Sequence, residues 1–464
     1  MTMNSVGLAA KPSPGYPPQI KYIVGNEAAE RFSYYGMRAI LVVFMVQYLG
    51  MMQHDAKGVY HLFISANYLL PLVGGYLSDR FLGKYKTIMM LSMVYCLGHL
   101  VLALYETKTG MYVGLGLIAL GAGGIKPCVS AHVGDQFNKG NSHLLKSIYE
   151  IFYFSINFGS FFSTLLIPWL LPRYGSGVAF GVPGILMAVA TLIFWMGRDK
   201  YVHVPPAGKE KSSQFFNILF YALFNLGKKQ KGQSFLEVAK GKFPADKVEG
   251  AKAAVDVFKV LISVAAFWAC FEQHGSSWVL QAKAMNLNWL GTKWEASQIP
   301  ALNPIMVMIL IPTFSYGIYP LCEKFGLKMT ALRRMGGGML LTGLSFVFAG
   351  MVQAALDSGA TVSVGWQFPQ YIVLTMAEVM VSITGLEFAY TQAPRAMKST
   401  MMSLWLLTVT AGNLFTAAIE FMNKFSGASQ FYFFAVVMFS ISVLFVVMAT
   451  RYQYRNYVED GVPA

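Results

Sequence analysis

Long apolar runs alternate with short polar segments along almost the whole chain. A helix needs about 20 largely apolar residues to cross a bilayer. Twelve stretches qualify: 20–49, 58–81, 87–105, 110–134, 146–171, 178–197, 255–281, 301–322, 331–352, 368–393, 399–422 and 428–450. Six precede a polar segment and six follow it. The pattern predicts an all-α membrane protein of two six-helix bundles. Its expected parts are a tail (1–19), a first bundle (20–197), a linker (198–254), a second bundle (255–450) and a tail (451–464). Within the linker, Phe215–Leu226 is apolar but too short to cross. This stretch, and the one from Ala245 towards Val257, are expected as helices lying at the membrane interface.

The first run breaks the pattern. Glu27, Glu30, Arg31, Tyr34, Tyr35 and Arg38 stand on what otherwise reads as a spanning helix. At about 100° per residue, Glu27, Arg31, Tyr34 and Arg38 share one stripe, with Glu30 and Tyr35 beside it. A headgroup-zone position accounts for Lys21 and partly for Glu27. It does not account for Arg38, about 17 Å further along the axis at 1.5 Å per residue. A charge at the bilayer centre costs roughly 2.5–3.5 kcal/mol on insertion scales, so the stripe should face a wet cavity or partner helices.

Composition agrees. Hydrophobic residues make up 55% of the chain and charged residues 12%, half the soluble share of roughly a quarter. The formal charge of +14 sits in alternate loops. Arg80, Lys84 and Lys86 follow the second run, Lys139 and Lys146 the fourth, and Lys324, Lys328, Arg333 and Arg334 the eighth. Arg395 and Lys398 follow the tenth, and Gly197–Glu249 holds ten Lys/Arg against five Asp/Glu. This is the signature of membrane orientation, not of nucleic-acid binding. It predicts that both termini are cytoplasmic, with Arg451 and Arg455 in agreement. Met1–Pro18 lacks the apolar core of a cleavable signal. The four cysteines are scattered through apolar segments with no paired spacing, which predicts neither disulfides nor a metal site.

Individual residues narrow the chemistry. Lys126 follows a glycine-rich run without the spacing of a phosphate-binding loop, and no second nucleotide segment accompanies it. Metal-ligand spacings and hydrolase nucleophile motifs are absent, so neither an enzyme nor a cofactor is predicted. Inside the membrane, Lys126 should face a cavity or pair with an acid. Glu378 is an acid in a run otherwise free of charge, and Glu272 lies near the far end of the seventh run. Asn157 and Asn303 each read equally as helix-to-helix hydrogen bonds or ligand contacts. By themselves, His61 reads as a helix-end residue or a titratable group, and Trp405 as packing.

Together these motifs resemble a known family. Gly75-x-x-x-Asp79-Arg80-x-x-Gly83-Lys84 is similar to the loop motif of the major facilitator superfamily. There Gly75 permits close helix contact and Asp79 caps or pairs with a helix end. Glu27-x-x-Glu30-Arg31-Phe32-x-Tyr34-Tyr35-Gly36 resembles the first-span signature of the proton-coupled oligopeptide transporters, a branch of that superfamily. The likeness extends to Lys126-Pro127, Ile156–Gly159, Phe267–Ser277, Leu302–Pro304 and Ser382–Phe388. Tyr60-His61 and the Thr384–Pro394 stretch look like animal intestinal-type members. The segment between the ninth and tenth runs is short, and no Asn-x-Ser/Thr acceptor occurs, which points to a prokaryotic member in the inner membrane.

The resemblance implies a proton-coupled symporter that imports di- and tripeptides by alternating access, with protons and lipids as its other partners and a monomer as the working unit. Arg31, Arg38 and Lys126 would take the peptide carboxylate, and Glu378 the ammonium. Asn157 and Asn303 would hold the amide, and Tyr34, Tyr35, Tyr68, Trp268 and Trp405 would form the walls. Glu27, Glu30, Arg31, His61 and Glu272 would couple the proton. Arg38 with Glu272, and Lys126 with Glu378, would be ion pairs between bundles. A carrier of another anion such as nitrate and a non-transporting peptide sensor are competing readings. Lys126 with Glu378 favours a zwitterion, and charged groups in both bundles favour transport.

Overall fold

The structure is a computed structural model that describes residues 15–138, 140–206, 215–229, 233–392 and 397–454. Lys139, Arg395, Arg455 and most of both tails lie outside the described residues. The first half contains α1 (Ile20–Gln47), α2 (Gln53–Leu77), α3 (Lys84–Leu104), α4 (Lys108–Asp135) and α5 (Leu145–Met196). The 52-residue α5 is two helices, because Gly175 has φ +80° and breaks the ladder between them. That conformation favours glycine.

The linker holds α6 (Phe215–Phe224), a 3-10 turn (Phe235–Gly241) and α7 (Ala245–Leu261). Ser234 and Glu237 close a capping box on the 3-10 turn. Their bond and Lys252 hold the Glu237 carboxyl below its usual range. The helix that begins at Ala245 runs past Val257 to Leu261 and meets Val264–Lys283 at a 45° bend.

The second half contains α8 (Val264–Phe271), α9 (Ser277–Lys283), α10 (Leu302–Pro312), α11 (Tyr319–Lys324) and α12 (Ala331–Asp357). It ends with α13 (Gln367–Glu378), α14 (Thr384–Thr391), α15 (Lys398–Met422) and α16 (Ala428–Arg451). A short hairpin of β1 (Asn288–Trp289) and β2 (Thr292–Lys293) lies between α9 and α10. Wide π-turns join α10 to α11 and α13 to α14.

Among the described residues, eight helices are long and apolar enough to cross a membrane, or nine if the bent pair is one span. One of these, α5, is broken into two helices at Gly175, and α1 and α2, which carry more polar residues, are not among the eight. α1, α2, α3, α4 and α5 pack together as one bundle, and α8 with α10, α12, α13, α15 and α16 as the other. The bundles meet where α2 lies against α15 and α5 against α10.

In the first bundle α2 and α4 come into close backbone contact. A Cβ on Gly74 would stand 2.4 Å from the Cα of Gly124. This corrects the expectation for Gly75, which has nothing within 4 Å of a built Cβ. One residue is a 100° turn, and Gly75 faces a cleft shared with Asp79, Met402 and Ser403 instead of the α4 backbone. Lys84 of the same motif pairs with Asp135 at 2.6 Å.

Candidate functional site

α1 carries the polar stripe into the space between the bundles. Arg31 Nε pairs with Glu27 at 2.7 Å and with Glu30 at 3.2 Å, all within one helix. Two turns on, Arg38 donates from Nε to the Tyr60 hydroxyl at 2.6 Å and pairs through its other nitrogen with Glu272 of the second bundle. Arg38 is 8% exposed and Glu272 1%, so each charge is held by the other.

His61 makes a second crossing. Its Nδ1 lies 2.8 Å from Asn413 Oδ1 and its Nε2 3.0 Å from Ser276 Oγ. Asn413 Nδ2 is already donating to the Val409 carbonyl at 3.0 Å, so Oδ1 accepts from the ring. A serine hydroxyl can accept or donate. This niche therefore holds the imidazole in either protonation state without repacking.

A third crossing was not legible in advance. Lys57, close to the start of α2, is buried at 2.8 Å from Glu420 of α15 and donates to Gln430 at 2.7 Å. Gln430 in turn donates to Glu420. All three crossings lie towards the α1–α2 turn, at the end of the bundles remote from the chain termini.

Beneath them lies a cavity of about 230 Å³, room for a small organic molecule where one water needs ≳ 10–15 Å³. Tyr35, Arg38, Tyr68, Asn157, Trp268, Glu272, Asn303 and Glu378 line it, eight of the residues singled out from sequence. Glu378 ends α13 directly before the π-turn Val379–Ile383, within the continuous helical span Val364–Thr391. Asn303 Nδ2 donates to Glu378 at 2.7 Å and approaches Thr375 at 3.2 Å.

Other expected residues stand behind the wall. Arg31, Tyr34, Lys126 and Trp405 are outside the lining, as are Glu27, Glu30 and His61. Tyr34 is buried, stacked on Phe63. Lys126 Nζ rests on the rings of Tyr34 at 4.5 Å and Tyr68 at 4.9 Å. Trp405 is buried against Trp268 at 6.1 Å. Asn157 donates to the Tyr153 carbonyl of its own helix at 2.9 Å.

The expected Lys126–Glu378 ion pair is not formed among the described residues. Lys126 is held between two tyrosine rings of the first bundle, and Glu378 is occupied by Asn303 of the second.

Sequence reasoning missed Tyr153, Ser160, Thr164 and His274, all of which line the cavity. A signal existed for three of them. Tyr153, Asn157, Ser160 and Thr164 follow the spacing i, i+4, i+7, i+11, the same stripe that exposed the charges of α1. His274 has no such signal. Its Nδ1 lies 2.7 Å from the Phe271 carbonyl and therefore carries the hydrogen, which leaves Nε2 as an acceptor.

The cavity thus has a hydroxyl-rich wall backed by cations on one bundle and a carboxylate with an amide on the other. It fits a small molecule with opposite charges at its ends.

Comparison with known proteins agrees with this architecture. The POT family model matches residues 85–434. Solute carrier family 15 member 2 of Homo sapiens is 38% identical over 405 residues, covering 81% of this chain and 55% of that protein. The crystal structure of the POT family transporter PepTSo is 39% identical with a TM-score of 0.89, over 96% of this chain and 100% of that one. An auto-inhibited POT family peptide transporter is 38% identical with a TM-score of 0.86, over 96% and 99%. The chain belongs to the POT family and has the two-bundle transporter fold. It spans little more than half the length of the human relative.

Proposed function

We propose that this protein is a proton-coupled symporter that imports di- and tripeptides by alternating access, acting as a monomer in a bacterial plasma membrane with both termini cytoplasmic. Its carrying observation is the cavity itself, in which Glu378 with Asn303 faces the tyrosine and asparagine wall of the first bundle. Glu378 takes the peptide ammonium, and Asn157 and Asn303 take the backbone amide. Of the three cations assigned to the carboxylate, Arg31 and Arg38 already have acidic partners. Lys126 has none among the described residues and stands on Tyr68, which lines the cavity. We therefore weight Lys126 as the carboxylate contact and Arg38 with Glu272 as the closure above it.

Protonation of Glu272 or of the Glu27–Glu30 pair loosens the arginine that each holds, and His61 passes or stores the proton beside them. The bundles then part at the remote end and close around Lys126 and Glu378 at the other. The relatives named as peptide transporters support the substrate class.

The test is uptake of labelled dialanine into liposomes that contain only the purified protein, under an inward proton gradient. Accumulation is expected, and a protonophore should abolish it. Binding without uptake would favour a sensor. Neither uptake nor binding of dialanine, with proton-driven uptake of labelled nitrate instead, would favour another anion.

A further inference from the structure

α6 is apolar on both faces. Phe215, Ile218 and Ala222 are buried against the 3-10 turn and α7. On the opposite side Phe216, Phe220, Leu223 and Phe224 are 40, 54, 45 and 87% exposed. Their spacing of i, i+4, i+7 and i+8 defines a stripe about 100° wide. A helix surrounded by protein and water would place polar residues there, and at ten residues α6 cannot cross a bilayer.

Two further observations indicate what covers this stripe. α7, on which α6 packs, also contacts α14, α15 and α16, and its Gly250 lies beside Met397, the residue before α15, which places α6 on the side of the bundles where α15 begins. The helix is also followed by Lys228 and Lys229, both exposed, and flanked by Lys242, whose Nζ rests 4.9 Å over the Tyr221 ring. None of these three lysines forms an ion pair among the described residues. The nearby acids Glu237 and Glu249 are occupied by Lys240 and Lys252.

We propose that α6 docks in the leaflet on the terminal side, with its bare stripe in the acyl boundary and Lys228, Lys229 and Lys242 on anionic phospholipid headgroups. The occupant is a lipid surface and not a protein, because an apolar strip edged by unpaired lysines matches the layering of such a leaflet. The docking fixes the linker between the bundles to the membrane independently of what the cavity carries.

The test is hydrogen exchange of the full chain in nanodiscs of phosphatidylcholine, alone or enriched in phosphatidylglycerol. Amides of 216–224 should exchange more slowly in the anionic discs. Lys228→Gln, Lys229→Gln and Lys242→Gln should each weaken that difference by roughly fivefold. Phe220→Ser with Phe224→Ser should speed exchange in both disc types. Three results would overturn the proposal: equal exchange in both discs with no effect of either variant, slowing by inorganic phosphate alone, or slowing that appears only when soluble protein is added. Exchange at α12 serves as the folding control for each variant.

Discussion

The cavity's chemistry rests on a few single residues, and Glu378 is the plainest. Its only side-chain donors among the described residues are neutral, so a ligand ammonium would supply the missing positive charge. Hydrogen bonds to charged groups are worth about 1.5–3 kcal/mol, which is roughly ten- to a hundredfold in affinity. Glu378→Gln should therefore weaken dialanine uptake by that factor while sparing analogues that lack the amino group. Equal loss for both would remove Glu378 from the ammonium site. This residue was legible because an acid in a long uncharged run is costly to insert and persists where a cavity or partner uses its charge. The Arg38–Glu272 pair was legible only through family likeness, since its partners lie on separate bundles. Lys57 and Glu420 were not legible at all. Each sits near a helix end, where charge is ordinary, and only the packed structure shows both to be buried.

Helices rather than residues set the cavity's shape. The stripe on α5 presents Tyr153, Asn157, Ser160 and Thr164 to the ligand space because helical periodicity carries them to one side. Periodicity gave the crossings well. It did not mark the bend between α7 and α8, since a bend inside an apolar run has no sequence mark of its own. It also failed to choose between Gly74 and Gly75. Membrane helices gain little from hydrophobic burial against each other, so close backbone contact is a main source of their adhesion. Gly74→Leu would drive a side chain into the Gly124 backbone. Overpacking costs typically 1–3 kcal/mol, and a rigid backbone neighbour places this site at the upper end. Gly75→Ala meets open space and should be neutral. Thermal unfolding in detergent should show a lowered midpoint for the first and no change for the second. The reverse order would mean that α2 is rotated by one residue.

At the scale of the whole molecule, the three crossings tie the two bundles together at the remote end. They span α1 and α2 on one side and the Glu272–Ser276 segment and α15 on the other, all above the cavity. For the remote end to open, every one must separate. Removing one partner of a buried pair is costly, about 3–5 kcal/mol, because it strands the other charge. Lys57→Met leaves Glu420 buried beside Gln430 alone, and part of that cost is relieved when the end opens and water reaches the carboxylate. The variant should thus shift the population towards the open remote end. Labelling of Leu280→Cys, in the cleft that Lys57 also lines, reports this directly. A membrane-impermeant maleimide should react faster, roughly tenfold or more, in Lys57→Met. The exchange Lys57→Glu with Glu420→Lys should return it towards the starting rate, since the pair is restored with its ends reversed. Unchanged labelling in Lys57→Met would make this pair a structural tie with no part in closure, and the gate would then rest on the other contacts between the bundles, among them Arg38–Glu272, His61 with Asn413 and Ser276, Ser65–Thr410 and Arg173–Glu295.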